Sequence, residues 1–182
     1  MAQPNERKDP MSKHSQHASH NDRPDIAGEH AIGDAGQLVL GIVFVVVWIA
    51  DTFWLRLTTS WNQAVPLALR IPLGLAFLAL AGYLSFRGMA IVFGEIREEP
   101  IVIRQEMFGI VRHPIYLGEI LLYAALMAWS LSLAAGVVWL IAIGFLHWIS
   151  RHEEALLLAR FGDEYRAYMR DVPMWIPRLR RR

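Results

Sequence analysis

A chain of 182 residues with net charge +1, 54% hydrophobic side chains and 11% aromatic ones has the length of one domain but is too apolar for an ordinary soluble protein. It contains no cysteine, which excludes disulfides, thiolate metal sites and cysteine nucleophiles. The small net charge conceals an asymmetry: residues 1–36 hold four Lys/Arg against six Asp/Glu, whereas residues 151–182 hold eight Arg against five Asp/Glu.

In chain order, residues 1–36 are polar and nearly free of large apolar side chains, so they cannot bury enough surface to offset the entropy of ordering. They are expected to form a disordered cytosolic tail. His14, His17 and His20 recur every third residue, but no carboxylate or thiol completes a ligand set, so the reading is a solvated tail and no metal is expected. From residue 37 the apolar residues are clumped. About 38–57 and about 71–93 each have the length of a membrane span, and the first acts as its own insertion signal because no signal-peptide h-region precedes it. From Ile120 to Ser150 there are 31 residues without Asp, Glu, Lys or Arg, longer than the ~20 that one span needs. This run is expected to fold back at Ser130-Leu131-Ser132 into a hairpin of spans about 115–131 and 134–150.

The fold class is therefore all-α and integral to a membrane, with about four transmembrane helices, a C-terminal helical hairpin and a cytosolic C-terminal segment, 151–182. Residues 37–182 form the domain. The connection 58–69 and the hairpin turn carry no Lys or Arg, whereas residues 87–112 carry four and 151–182 eight. Positive charge is retained on the cytosolic side, which places both termini and the polar clusters there, in an inner membrane of bacterial or archaeal type. Trp54, Trp61 and Trp129 are expected at the outer interface and Trp148 at the inner one. The terminal Arg178-Leu179-Arg180-Arg181-Arg182 favours anionic lipid headgroups. Nucleic acid is not an expected partner, since no stacking aromatics are interleaved with these arginines. Beyond the last span, a helix continues to Phe161, Gly162 stops it, and a short amphipathic helix with the acidic first turn Asp163-Glu164 follows. Val172 to Pro177 then reads as an extended apolar segment at the membrane surface.

Two polar clusters bracket the hairpin: Arg112-His113-Pro114-Ile115-Tyr116 before it and Arg151-His152-Glu153-Glu154 after it. The fold-back brings them to one membrane face. His147, Arg151 and Glu154 also fall at i, i+4 and i+7, a polar stripe on one helix face. Ionisable residues inside a membrane are costly and mark functional sites, although an ion-pair network that only fixes packing would give the same pattern. An enzyme, a non-catalytic binding or assembly module and a small transporter subunit are all compatible with these residues alone.

The run Arg112-His113-Pro114-Ile115-Tyr116-Leu117-Gly118, the hydrophobic hairpin, Glu153-Glu154, Phe161-Gly162-Asp163-Glu164-Tyr165 and Val172-Pro173 to Ile176-Pro177 resemble the isoprenylcysteine carboxyl methyltransferase and phospholipid methyltransferase superfamily over roughly residues 70–178. The resemblance implies an S-adenosylmethionine-dependent methyltransferase acting on a lipophilic or membrane-embedded acceptor, an isoprenylcysteine-like carboxylate or a lipid headgroup. It places the cofactor between the cytosolic ends of the last two spans and the C-terminal segment. Glu153 or Glu154 would meet the cofactor's ammonium group, and His113, Arg151 or backbone amides its carboxylate. Tyr116, Phe161, Tyr165 and Trp175 are candidates for the adenine wall, and Gly118 belongs to the cofactor side of the motif. Arg112 would orient the acceptor. A neutral acceptor would need a proton sink, for which His113 or Glu119 could serve. The chain departs from many relatives where Glu106-Met107-Phe108 replaces a Gly-x-Tyr segment, and Glu takes positive φ less freely than Gly.

Overall fold

The computed structural model describes residues 31–94 and 100–178, and among them every regular element is helical. Helix α1 (Ala31–Ile49) continues into a π-helical turn, Ala50–Leu55. A 3-10 turn at Ser60–Gln63 leads to α2 (Leu67–Phe93), and a second at Glu106–Gly109 precedes α3 (Pro114–Ser130). The chain then forms α4 (Leu133–Phe161) and α5 (Asp163–Asp171). Helix α1 begins at Ala31, ahead of the expected start near residue 38, while His14, His17 and His20 lie outside the described residues.

Three stretches, Gly33–Leu55, Leu67–Phe93 and Leu133–Phe161, are long and apolar enough to cross a membrane; α3, at 17 residues, is apolar but shorter. Large apolar side chains of α1, α2 and α4 point outward: Val46 is 59% exposed, Phe86 76% and Leu140 63%. Such faces suit lipid and not water. Trp54 and Trp61 are exposed in the turns after α1 and Trp148 is exposed midway along α4, whereas Trp129 turns inward to α2.

The expected fold-back is present. Ser130 ends α3, Leu131 takes the left-handed conformation at φ 50°, and Ser132 caps α4 by accepting from the Ala135 amide at 3.1 Å. The two arms do not form a tight hairpin, however. Helix α3 packs chiefly along α2, and α4 chiefly along α1. Small residues set both pairings: a Cβ on Gly118 would lie 2.5 Å from Ser85 Oγ and 3.1 Å from the Ala81 carbonyl, and one on Gly36 would strike the Phe145 ring. Close backbone approach of this kind replaces the hydrophobic effect, which lipid weakens between helices. The two pairs meet along a seam where Phe44 stacks on Tyr123, Trp139 Nε1 donates to the Ile120 carbonyl at 3.0 Å, and Leu146 and Ile149 are buried.

One end of the bundle is pinned by Asp51 in the π-helical turn, which is 3% exposed. Its carboxylate accepts from the Thr58 amide at 3.1 Å, the Thr58 hydroxyl at 2.5 Å and the Ser132 hydroxyl at 2.6 Å. It thus ties α1 to the N-terminus of α4, where negative charge is favoured. Arg70 does the converse at the C-terminus of α3, donating to the Trp129 carbonyl at 2.8 Å and bonding Asn62. The Arg112 and Glu154 clusters lie at the other end.

Candidate functional site

Pro114 occupies the first position of α3, where its missing N–H costs nothing, and His113 immediately before it is non-helical. The amides of Arg112 and His113 are therefore free of the helix, and they bind the C-terminal segment. Arg112 N donates to the carbonyls of Pro173 at 2.9 Å and Met174 at 3.1 Å, and His113 N donates to Met174 at 3.3 Å. Residues 172–177 form a strap across the start of α3.

The Arg112 side chain runs under this strap to α4. Its Nε donates to Glu154 Oε1 at 2.7 Å, and Nη1 donates to the carbonyls of Met169 at 3.0 Å and Val172 at 2.5 Å. The pair is buried, with the side chains 9% and 3% exposed. His113 lies beside it, with Nε2 3.2 Å from the same Glu154 oxygen and Nδ1 3.6 Å from Glu153 Oε2. Its ring stacks on Tyr116, whose hydroxyl donates to Glu153 Oε1. Arg112, His113, Tyr116, Glu153 and Glu154, drawn from segments about forty residues apart in sequence, thus share one buried cluster.

Two polar atoms at this place have no hydrogen-bond partner among the described residues: Glu154 Oε2 and Trp175 Nε1. Burying a carboxylate oxygen and an indole N–H without partners is costly, and such atoms in a native fold call for an explanation. Trp175, like Tyr116, packs against the buried cluster of Ile120, Leu146 and Ile149, and it meets the His147 ring edge-on. An unmet acceptor, an unmet donor and aromatic walls fit the chemistry of an amino-acid-bearing nucleoside such as S-adenosylmethionine.

Within the cluster Arg112 has Glu154 as its partner through Nε. Other expected site residues stand apart. Gly118 is buried against α2, so its lack of a side chain serves helix packing. Glu119 lies one turn inward along α3, where its Oε1 accepts from the Tyr123 hydroxyl at 2.6 Å. Arg151 is exposed and makes no described contact. Of the residues in the His147–Arg151–Glu154 stripe, His147 and Arg151 are exposed while Glu154 is buried under the strap. Tyr165 is buried with Val102, Tyr168 and Val172, where burial pushes its hydroxyl well above the ordinary tyrosine range and keeps it protonated.

Sequence reasoning missed the backbone carbonyls of Met169, Val172, Pro173 and Met174, because carbonyls carry no sequence signal; the Val172-Pro173 motif was their only trace. It also left the loop before α3 open. There Glu106 adopts φ 50°, the region glycine prefers, and Arg87 holds its carboxylate by an ion pair at 2.5 Å. Glu106 thus holds a conformation that glycine adopts freely, at a strain of about 1–2 kcal/mol. Phe108 supplies its carbonyl to the Tyr168 hydroxyl at 2.7 Å, which docks α5 on this loop.

The chain is 36% identical over 102 residues to methanethiol S-methyltransferase 2 of Bradyrhizobium diazoefficiens, a match covering 53% of this chain and 34% of that protein. It therefore spans about a third of the length of that relative. It is also 40% identical over 55 residues to an uncharacterized protein of Haemophilus influenzae, covering 28% of this chain and 87% of that one. No family model and no solved structure matches.

Proposed function

We propose that this protein transfers a methyl group from S-adenosylmethionine to a lipophilic acceptor at the cytosolic face of an inner membrane. The observation that carries the reading is the buried Arg112–Glu154–His113 cluster, with Glu154 Oε2 and Trp175 Nε1 left without partners beneath the strap. Two further lines support it: the motif order along residues 112–177, and the partial likeness to an S-methyltransferase. When bound, the cofactor supplies an electrophilic methyl on a sulfonium.

The chain's own residues then have definite tasks. Glu154 Oε2 accepts from the cofactor's ammonium group, and Arg112 and His113 hold Oε1 so that the carboxylate stays ionised and correctly turned. Trp175 donates its indole N–H and, with Tyr116, provides an apolar wall that excludes water. The strap fixes Arg112 through the carbonyls of Val172, Pro173 and Met174. In this reading the arginine asymmetry places both termini and the cluster in the cytosol, with α3 as a short fourth span and the arginine-rich end against anionic headgroups.

The test is isothermal titration of the detergent-purified full chain with S-adenosylhomocysteine, which requires no knowledge of the acceptor. Binding that Glu154→Gln weakens tenfold or more supports the proposal. A folded protein with no affinity defeats it.

A further inference from the structure

At the end of the bundle opposite the Arg112–Glu154 cluster, Arg70 is a buried cation without a carboxylate. It stands in the first turn of α2 at 7% exposure, and among the described residues it has no ion-pair partner. Asp51, the buried acid at the same end, directs its oxygens to Thr58 and Ser132 instead. The hydrogen bonds of the Arg70 side chain all fall on one nitrogen: Nη1 donates to the Trp129 carbonyl at 2.8 Å and to Asn62 Oδ1. Nε is fully buried with no acceptor, and Nη2 has none among the described residues but is not sealed from the surface. Nε and Nη2 lie on one edge of the guanidinium plane, the fork that takes two oxygens of a carboxylate or a phosphate at once.

A further donor lies one helical turn away. Trp129 Nε1 is buried and also lacks an acceptor among the described residues. Gly74, four residues beyond Arg70 and on the same face of α2, makes room for it, since a Cβ there would collide with that indole nitrogen. Unmet donors around a desolvated positive charge call for an anion with several acceptor oxygens; a water would meet the hydrogen bonds and leave the charge unmatched. The surroundings give the class of anion. Leu67, Leu69, Ile71 and Leu73 flank Arg70 and are exposed, at the end of a helix long enough to cross a membrane. That is the level of lipid headgroups, where phosphate is the abundant oxyanion. We propose that the Nε–Nη2 edge of Arg70, together with Trp129 Nε1, binds a phosphate-class oxyanion at this end of the bundle. The anion supplies the charge that Arg70 lacks. Because Arg70 already ties α2 to the last turn of α3, it also locks that helix pair. The site stands independently of methyl transfer.

The test uses the full chain, delipidated in dodecyl maltoside, a detergent without phosphate. Native mass spectrometry follows the binding of dioleoylphosphatidylcholine and of diolein, which has the same tails and no phosphate; thermal unfolding follows the response to inorganic phosphate. The chain should hold the phospholipid about tenfold or more tightly than diolein, and Arg70→Gln should remove that preference. Trp129→Phe keeps a ring against Gly74 and removes only the N–H, so it should weaken phospholipid binding by about threefold to tenfold, and it decides the matter if the arginine variant fails to fold. Arg56→Gln alters an exposed arginine just after the Asp51 turn and should change nothing. A preference for phospholipid over diolein that depends on Arg70 or Trp129 identifies a lipid headgroup as the source of the anion. A rise in Tm of about 3 °C or more with inorganic phosphate, lost in the same variants, identifies a free ion. Binding of either source that is unchanged in Arg70→Gln or in Trp129→Phe overturns the proposal. So does an equal loss in Arg56→Gln, which would mean diffuse attraction to the surface. Failure of both phosphate sources to bind overturns it as well and leaves Arg70 as a cap on α3 alone.

Discussion

The Glu154→Gln variant separates what the buried pair does for the fold from what it does for the ligand. Glutamine keeps the shape and one neutral hydrogen bond but removes the charge opposite Arg112, which is only 9% exposed. A charged hydrogen bond contributes about 1.5–3 kcal/mol and a neutral one about 0.5–1.5, so each of the two contacts to Oε1, from Arg112 at 2.7 Å and His113 at 3.2 Å, loses about 1–1.5 kcal/mol. The sum, about 2–3 kcal/mol, corresponds to a fall of about 4–12 °C in Tm for a chain of this length. Thermal unfolding of the detergent-solubilised protein measures it. S-adenosylhomocysteine affinity should fall by about tenfold to a hundredfold, since Oε2 becomes a group unable to receive an ammonium as an anion does. The double variant Arg112→Met with Glu154→Met divides the two roles: replacing a buried pair by apolar side chains restores stability, so Tm should recover while affinity does not. Unchanged Tm in Glu154→Gln would refute the reasoning about the pair, and unchanged affinity would remove Glu154 from the ligand site.

Arg112→Lys retains charge but cannot bond Glu154 and the Met169 and Val172 carbonyls at once, so cofactor affinity and methyl transfer should fall together; loss of turnover alone would mean that the arginine meets the acceptor. Gly118→Ala forces a methyl to 2.5 Å from Ser85 Oγ and should lower stability by about 1–3 kcal/mol in denaturant unfolding, with no loss expected if α2 and α3 were loosely packed. A reporter fused after Arg182 and another near Gln63 should report opposite sides of the membrane, and the same side for both would refute four spans. Burial raises the hydroxyls of Tyr165 and Tyr168, so the folded chain holds protons that the unfolded chain loses above about pH 10. Their contribution to stability is complete below that pH and is lost as pH rises through the folded values; tyrosinate absorbance and unfolding followed together should show both rising late and in one step, whereas an early titration without unfolding would place these hydroxyls in water.

Helical class, the fold-back and the two polar clusters were legible in the sequence because each rests on local chemistry. A long uncharged run has to satisfy its backbone internally, Pro114 starts a helix, and Ser132 caps one. The positive φ at Glu106 was legible only as an absent glycine; the structure shows a conformation that glycine favours, with the Arg87 ion pair beside it. The spacing of His147, Arg151 and Glu154 gave a shared helix face, and the structure buries Glu154 on it while leaving His147 and Arg151 exposed. Periodicity along one helix says which residues share a face, and not which part of that face another segment will cover.

What the sequence alone determined is thus the inventory: apolar helices, a turn between the last two long ones, and charged groups held at its two ends. The tertiary structure decided the pairing. Helix α3 lies on α2 and α4 on α1, because Gly118 and Gly36 admit close neighbours that no count of hydrophobic residues reveals. Helix α5 and the strap decided the state of Arg112, since the carbonyls of Met169 and Val172 and the carboxylate of Glu154 converge on it only in the folded chain. Hydrogen-bond partners so far apart in sequence are set by the geometry of packed helices, and that geometry gives Arg112 the partners at Nε and Nη1 that its sequence neighbours do not supply.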